Sequence, residues 1–263
     1  KSDTIRETKY VYDTKNRLVS YTDPEGRTET YTYDCNSNLT KTVDKNENTL
    51  KNTYDNKNRL TERTAKEKKT GKETVHTYSY NAYGDVAVQD DTQFVYGDVS
   101  GQVTKETTKL TKNKDVVKNY TYDSKGNKST FSVKAGEATK LSLSYEYDGS
   151  SRLISVKDSE GNRAVSYAYD TEGSLSERQA ANGLKTTYGY DYQNRLTSMT
   201  NETGKGVVSK YSSTYLKNGQ KAEEVSTVMD KNGKSTKKTA AYTYDMLGRI
   251  TRETKTGRED ISY

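Results

Sequence analysis

The side chains that could do chemistry in this sequence are few and do not form a catalytic set. The chain has one histidine, His76, and one cysteine, Cys35. A Ser-His-Asp hydrolase would need a nucleophile, and no Gly-x-Ser-x-Gly elbow occurs. Zinc needs a cluster of Cys and His ligands, which one residue of each type cannot supply. We therefore predict a non-enzymatic protein without cofactor or metal, with His76 at the surface of a strand and Cys35 in a turn.

The segment from Asp44 to Asn48 resembles the first positions of a calcium-binding loop. Its sixth position is Thr49 rather than glycine, and no glutamate closes the loop at the twelfth position. Asp and Asn are also residues that favour tight turns, because their side chains bond nearby backbone groups. We interpret this segment as a turn.

Tyrosines and basic residues could also act as a stacking surface for sugars or bases. The chain has 24 tyrosines and a net charge of +6, but its charges alternate without a sustained basic block. That pattern disfavours nucleic acid as a partner. A module that binds cell-wall or surface glycans through exposed tyrosines remains an alternative to a structural role. The two differ in burial, since a structural role predicts rings packed between hairpins and a glycan-binding role predicts rows of solvent-open rings.

The tyrosines occur in a repeated phrase, Tyr-x-Tyr-Asp, followed by turn residues and often by Arg-Leu. We call the second tyrosine of each copy the second-position tyrosine. Its successive copies lie 16 to 29 residues apart, with a mean of about 23. A fixed period of this kind indicates stacked copies of one structural unit. The second-position tyrosines are Tyr12, Tyr33, Tyr54, Tyr80, Tyr96, Tyr122, Tyr147, Tyr169, Tyr190, Tyr215 and Tyr244.

Each phrase predicts a β-hairpin. Two tyrosines two residues apart point to the same side of an extended strand. The Asp suits the first position of a type I turn, and Gly or Asn three residues later suits a positive φ that closes the turn with a bulge. Strands joined by tight turns are antiparallel. We therefore predict an all-β fold, a long antiparallel meander of about eleven β-hairpin repeats that curls into a spiral shell or open barrel.

We assign a structural role to the tyrosines and aspartates of the phrase. The first tyrosine and the second-position tyrosine are expected to line one face of the sheet, side by side with those of the next repeat, and the Asp to open each turn. The predicted structural residues are Tyr10, Tyr12, Asp13, Tyr31, Tyr33, Asp34, Tyr54, Asp55, Tyr78, Tyr80, Tyr120, Tyr122, Asp123, Tyr145, Tyr147, Asp148, Tyr167, Tyr169, Asp170, Tyr188, Tyr190, Asp191, Tyr242, Tyr244 and Asp245.

Composition agrees with a thin core and one continuous array. Only 29% of the residues are hydrophobic, so tyrosine rings must supply much of the buried surface. No apolar run approaches the length of a membrane span. Because a repeat array need not divide, we expect a single domain over residues 1–263, which forms a fragment of a larger protein.

The phrase resembles the YD repeat of the Rhs family, most completely at Tyr242 to Ile250 and at Tyr188 to Leu196, and the resemblance covers essentially the whole chain. It implies a hollow shell of β-hairpins, as in bacterial polymorphic toxins, insecticidal toxin complexes and, more distantly, teneurin ectodomains. The Lys, Asn and Thr bias is similar to that of wall-associated bacterial members. The resemblance also implies that the shell encapsulates or displays a C-terminal toxin or effector of the same polypeptide, outside the cell or at the bacterial cell wall. A core segment with an aspartyl autoprotease follows the repeats in the family, and nothing in this sequence matches it.

Overall fold

A computed structural model of the chain describes residues 7–98, 100–110, 115–230, 232–256 and 261–262. These residues form β-strands joined by turns and contain no helix that could cross a membrane. The strands are β1 Lys9–Tyr12, β2 Leu18–Thr22, β3 Thr28–Tyr33, β4 Leu39–Val43, β5 Thr49–Tyr54, β6 Leu60–Lys66, β7 Glu73–Tyr80, β8 Val86–Gln89, β9 Thr92–Tyr96, β10 Val103–Thr108, β11 Val116–Tyr122, β12 Lys128–Ala135, β13 Ala138–Tyr147, β14 Leu153–Lys157, β15 Arg163–Tyr169, β16 Leu175–Ala180, β17 Lys185–Tyr190, β18 Leu196–Thr203, β19 Gly206–Tyr215, β20 Lys221–Met229, β21 Ser235–Tyr244, β22 Ile250–Lys255 and β23 Ile261–Ser262.

The chain forms two compact units. The first comprises Lys1–Asn119 with Val133–Ala138, and the second comprises Tyr120–Ser132 with Thr139–Tyr263. In the first unit, each strand from β1 to β10 pairs antiparallel with the next strand in sequence. In the second unit, the strands from β13 to β23 pair in the same way. The predicted all-β antiparallel meander is confirmed.

The two sides of the strands differ in burial. In β3, exposed and partly buried residues alternate, and the partly buried ones include Tyr31 and Tyr33. We call the side that carries the paired tyrosines the tyrosine face. Among the described residues, Val156 is the one hydrophobic residue that is buried, and no large side chain is fully buried. The core is therefore one side chain deep, as the composition predicts.

A row of polar side chains replaces apolar packing in part of the second unit. Thr186, Asn201 and Ser209 lie directly opposite one another on β17, β18 and β19. The Thr186 hydroxyl donates to Asn201 Oδ1 at 2.8 Å, and Asn201 Nδ2 donates to Ser209 Oγ at 2.9 Å. Thr186 and Ser209 are buried. This polar row is stable only because each member satisfies the next.

Candidate functional site

The candidate site is the tyrosine face together with the edge of the sheet formed by the Asp turns. An Asp turn is the connection that follows a second-position tyrosine, and the turn at Asp191 shows its construction. Asp191 Oδ1 accepts from the backbone N–H groups of Gln193 and Arg195 at 2.9 and 3.0 Å. The Asn194 N–H donates to the Asp191 carbonyl at 2.9 Å, and the Asp191 N–H donates to the Arg195 carbonyl at 3.0 Å. One carboxylate thus adds two bonds to the two that the backbone makes within the turn.

Positive φ occurs at the predicted position in every repeat. These residues are Asn16, Ser37, Asn58, Gly84, Gly101, Gly126, Ser151, Gly173, Asn194, Gly219 and Gly248, with φ from 59° to 99°. A register shift beside the second-position tyrosine marks the bulge, for example at Val11/Tyr12 and Gly189/Tyr190. The predicted type I turn with a bulge is confirmed.

Two variant turns show which part of the motif is essential. Leu216 stands at the Asp position of its turn, yet its N–H still donates to the Gln220 carbonyl at 2.8 Å. In the turn that begins at Asn81, the amide stands at the usual Asp position and a carboxylate stands four residues later. Asn81 Nδ2 donates to Asp85 Oδ2 at 3.0 Å. The backbone geometry therefore persists without the Asp, which reinforces the turn rather than creating it.

The hydroxyl of the second-position tyrosine reaches the preceding hairpin. Tyr33, for example, donates to the Leu18 carbonyl at 3.0 Å. The acceptor is the residue that follows the preceding Asp turn, the leucine of Arg-Leu where that pair is present. The same bond is made at 2.7 to 3.0 Å by Tyr54, Tyr80, Tyr96, Tyr147, Tyr169, Tyr190, Tyr215 and Tyr244. These hydroxyls join successive repeats.

The expected side-by-side packing of tyrosine rings is largely wrong. Among the described residues, close ring pairs are Tyr10 with Tyr21 and Tyr120 with Phe131, both with centroids 5.2 Å apart. Tyrosine-bearing strands of successive repeats are separated by one intervening strand, which places them about 10 Å apart. Each ring therefore lies across the intervening strand and meets a backbone carbonyl rather than another ring.

An arginine of the preceding repeat covers the ring. Arg152 donates through Nε to Asp148 Oδ2 at 2.7 Å, and its guanidinium carbon lies 4.6 Å from the centroid of the Tyr169 ring. Such a cation over a ring face is attracted by the ring quadrupole. The same arrangement occurs for Arg17 over Tyr33, Arg59 over Tyr80 and Arg195 over Tyr215, at 4.4 to 4.6 Å. The sequence shows the Arg of Arg-Leu but gives no sign of this contact, because it depends on strand register.

Neighbouring Asp turns are also joined directly. Arg195 Nη1 donates to the Leu216 carbonyl at 3.3 Å, and Gln220 Nε2 donates to the Gly248 carbonyl at 3.1 Å. In the first unit, Lys15 Nζ donates to the Cys35 carbonyl at 3.1 Å. The turn edge is therefore linked from one hairpin to the next by side chains at the positions that follow each Asp.

The pKa shifts of the Asp and Tyr side chains in the repeats agree with ionic contacts that persist at neutral pH. The side-chain hydrogen bond from Arg195 holds the pKa of Asp191 below its ordinary value, and backbone and side-chain bonds from Arg17 do the same for Asp13. Burial raises the pKa of Tyr169 and Tyr190. At neutral pH these carboxylates are charged and paired, and these phenols are protonated donors.

The predicted structural tyrosines are partly buried, with exceptions in the first strand. Tyr10 and Tyr12 of β1 are 56% and 53% exposed. Two tyrosines outside the predicted set, Tyr83 and Tyr192, are each 92% exposed and lie at the tips of Asp turns. The two most open of these rings thus lie singly at turn tips, and the other exposed rings are confined to β1.

His76 lies at the surface, as predicted, and has a partner that the sequence did not reveal. Its Nδ1 lies 2.9 Å from Asp90 Oδ2, and Asp90 Oδ1 accepts from the Thr77 N–H at 2.7 Å. Asp90 has a φ of 50° in the connection between β8 and β9.

Asp44 and Asn48 form a turn in which Asp44 Oδ1 accepts from the Asn48 N–H at 2.8 Å.

The glycine of an Asp turn also makes room for the neighbouring repeat, and this can be tested at Gly173. An alanine Cβ there would lie 3.3 Å from Arg152 Nη1, and the φ is 91°. Positive φ costs an L-residue about 1–2 kcal/mol. We expect Gly173→Ala to lower the free energy of unfolding by about 2 kcal/mol, measured by urea denaturation, because it adds displacement of Arg152 to the backbone strain.

Gly161→Ala is the matched control, since Gly161 has a φ of 83° with open space around its Cβ position. It should lose only the strain of positive φ, about 1 kcal/mol. Equal losses for the two variants would show that the Arg152 contact adds nothing.

Comparison with known proteins gives a family and a fold. Residues 104–263, more than half of the chain, match the family described as Teneurin YD-shell. Residues 12–49 match the RHS repeat. No curated protein sequence matches significantly.

Solved structures with a similar fold include two crystal structures of TcdB2-TccC3. The one described as TcdB2-TccC3-TEV is 12% identical over 95% of this chain, with a TM-score of 0.67. The one described as lacking the hypervariable C-terminal region is 13% identical over 97% of this chain, with a TM-score of 0.61. This chain spans 16% of the length of each. At these identities the likeness concerns the fold alone.

Proposed function

The chain belongs to the teneurin YD-shell family, and on that basis we propose that it forms part of the wall of a hollow β-shell that encapsulates or displays a C-terminal effector of the same polypeptide. Its own role is structural and non-enzymatic. We further propose that this polypeptide is a secreted or cell-wall-associated bacterial protein. The array described above is a structural shell module of the Rhs type.

The strongest support for this proposal is that the Tyr, Arg and Asp side chains of the phrase bond one repeat to the next. The Tyr169 hydroxyl is bonded to the Leu153 carbonyl, its ring is covered by Arg152, and that guanidinium is paired with Asp148. The same bonds recur along both units. The groups that might have bound a ligand or activated water are therefore engaged in building the wall.

The fold comparison suggests where in the polypeptide the effector lies. One of the similar crystal structures is described as lacking a hypervariable C-terminal region. A variable segment after a constant shell is the arrangement expected of an array that carries different effectors. We propose that the effector of this protein likewise follows the repeats.

Glycan binding through rows of exposed tyrosines is the second candidate. The open rings of Tyr83 and Tyr192 could each stack on one sugar. They occupy isolated turn tips, whereas the tyrosines of the repeats are partly buried and hydrogen-bonded. Burial thus favours the structural role.

Limited proteolysis of the full-length polypeptide that carries this chain tests the proposal. We expect its C-terminal segment to resist digestion in the intact protein. A triple variant Tyr147→Ala, Tyr169→Ala and Tyr190→Ala should expose that segment, because three links between repeats are lost. The control is Tyr83→Ala with Tyr192→Ala, which should leave protection unchanged.

Equal sensitivity of the C-terminal segment in the intact protein and the triple variant would contradict encapsulation. A glycan array provides the opposing result. Glycan binding that the Tyr83→Ala and Tyr192→Ala control abolishes would instead support the second candidate.

A further inference from the structure

Two lysines face each other on the side of the sheet opposite the tyrosine face. Lys41 of β4 and Lys51 of β5 are direct cross-strand partners. Both are exposed, whereas Asn52, the next residue after Lys51, is buried on the tyrosine face. Side chains directly opposite in an antiparallel pair have Cβ atoms about 5 Å apart, and like charges there destabilise the sheet. We call Lys41 and Lys51 the lysine pair.

No carboxylate in the described part of the chain forms an ion pair with either lysine of the pair. Another cross-strand pair of cations shows the contrast. Lys157 lies opposite Arg163, but the Lys157 ammonium is paired with the carboxylate of Glu146. That salt bridge lowers the pKa of Glu146. The repulsion there is compensated by a direct salt bridge. At the lysine pair the compensation is weaker: the pKa of Glu73 is lowered mainly by its hydrogen bond with Lys66 and to a smaller extent by the charge of Lys51.

The lysine pair borders a cavity. Its volume is about 220 Å³, and it is lined by Lys41, Thr49, Lys51, Thr64, Lys66 and Glu73. Pockets for drug-sized ligands are larger, at roughly 300–1,000 Å³. This space suits one small group rather than the body of a polymer.

The residues that line the cavity include three lysines and one glutamate. Lys66 Nζ pairs with Glu73 Oε1 at 2.9 Å. The Thr64 hydroxyl donates to Glu62 Oε1 at 3.1 Å, which occupies that oxygen without neutralising its charge. The lining therefore carries a net positive charge, and Thr49 lies beside the lysine pair.

We propose that this cavity binds a tetrahedral oxyanion, a phosphate or sulfate group, between the ammonium groups of Lys41 and Lys51. Two cations match the charge of a phosphate or sulfate dianion, and each ammonium can donate to a separate oxygen. The Thr49 hydroxyl supplies a third donor. The bound anion replaces the repulsion between the lysines with attraction to both. The site lies on the side of the sheet opposite the tyrosine face, so it does not depend on the encapsulation proposed above.

Isothermal titration of the whole chain with inorganic phosphate, pyrophosphate and sulfate tests the site. We expect binding at low ionic strength that weakens with added salt, and affinity about tenfold lower in Lys41→Gln or Lys51→Gln. The double variant Lys57→Gln with Lys205→Gln is the control for Lys41→Gln with Lys51→Gln, since it removes the same charge at exposed turn positions. The control should bind as the wild type does.

The temperature of unfolding gives a second test of anion binding, which does not require a measurable heat of binding. Without ligand, Lys51→Thr should unfold at a higher temperature than the wild type, because the repulsion is relieved. Phosphate or sulfate should raise the unfolding temperature of the wild type and not that of Lys51→Thr. Binding of phosphate alone, sulfate alone or both would identify which oxyanion the site accepts.

The proposal fails if none of the three anions binds, or if the control double variant loses affinity as much as the lysine-pair variant. It also fails if chloride at matched ionic strength produces the same thermal shift, which would reduce the effect to charge screening.

Discussion

Replacing Tyr169 with alanine should lower the free energy of unfolding by about 2–4 kcal/mol. The ring is partly buried beneath the Arg152 guanidinium, and its hydroxyl donates to the Leu153 carbonyl at 2.9 Å. The change removes ring burial, the cation contact and the hydrogen bond together. Because the ring is not fully buried, the loss should fall below that of a large aromatic in a closed core. Urea denaturation followed by circular dichroism measures it.

Two variants separate the contributions. Tyr169→Phe keeps the ring and removes the hydroxyl, so it should cost about 1 kcal/mol. Tyr192→Ala removes the same side chain from a turn tip where it is 92% exposed, and should change stability by no more than about 0.5 kcal/mol. If Tyr169→Ala and Tyr192→Ala were equally mild, the tyrosine hydroxyls would not hold the repeats together.

The polar row in the second unit should be equally sensitive. Asn201→Val leaves the buried hydroxyls of Thr186 and Ser209 without the partners they have in the structure. Each unsatisfied group costs about 1–3 kcal/mol. We expect Asn201→Val to lower the free energy of unfolding by about 2–4 kcal/mol in urea denaturation.

The rescue experiment distinguishes lost hydrogen bonds from altered shape. Adding Thr186→Val and Ser209→Ala to Asn201→Val removes the stranded hydroxyls, and valine suits a strand. The triple variant should recover most of the loss and unfold within about 1 kcal/mol of the wild type. A triple variant less stable than Asn201→Val would show that the row is required for packing rather than for hydrogen bonding.

The local features of the fold were predictable from the sequence, because they depend on residues within one turn. Asp191, Asn194 and Arg195 are four residues apart at most, so the carboxylate bonds and the positive φ follow from residue type. The two-residue spacing of Tyr31 and Tyr33 likewise places both rings on the same face of the strand.

The links between repeats were not predictable, because they depend on strand register. The bond from Tyr33 to the Leu18 carbonyl spans 15 residues, and the turn and bulge together decide which carbonyl the hydroxyl meets. The opposition of Lys41 and Lys51 has the same origin. A shift of one residue in that pairing would separate these lysines, and no property of either residue indicates the register.

Pairing of each strand with its neighbours in sequence has a consequence for cooperativity. In a closed globular core, loss of one side chain weakens contacts among many segments at once, and the domain unfolds as a whole. Here a lost link weakens one boundary between hairpins, so the remaining hairpins of that unit can stay folded. The protein should have a profile of local stabilities along the chain rather than one global value, with the outermost hairpins opening most often. Hydrogen exchange resolved by residue is thus a better description of its stability than a single melting temperature.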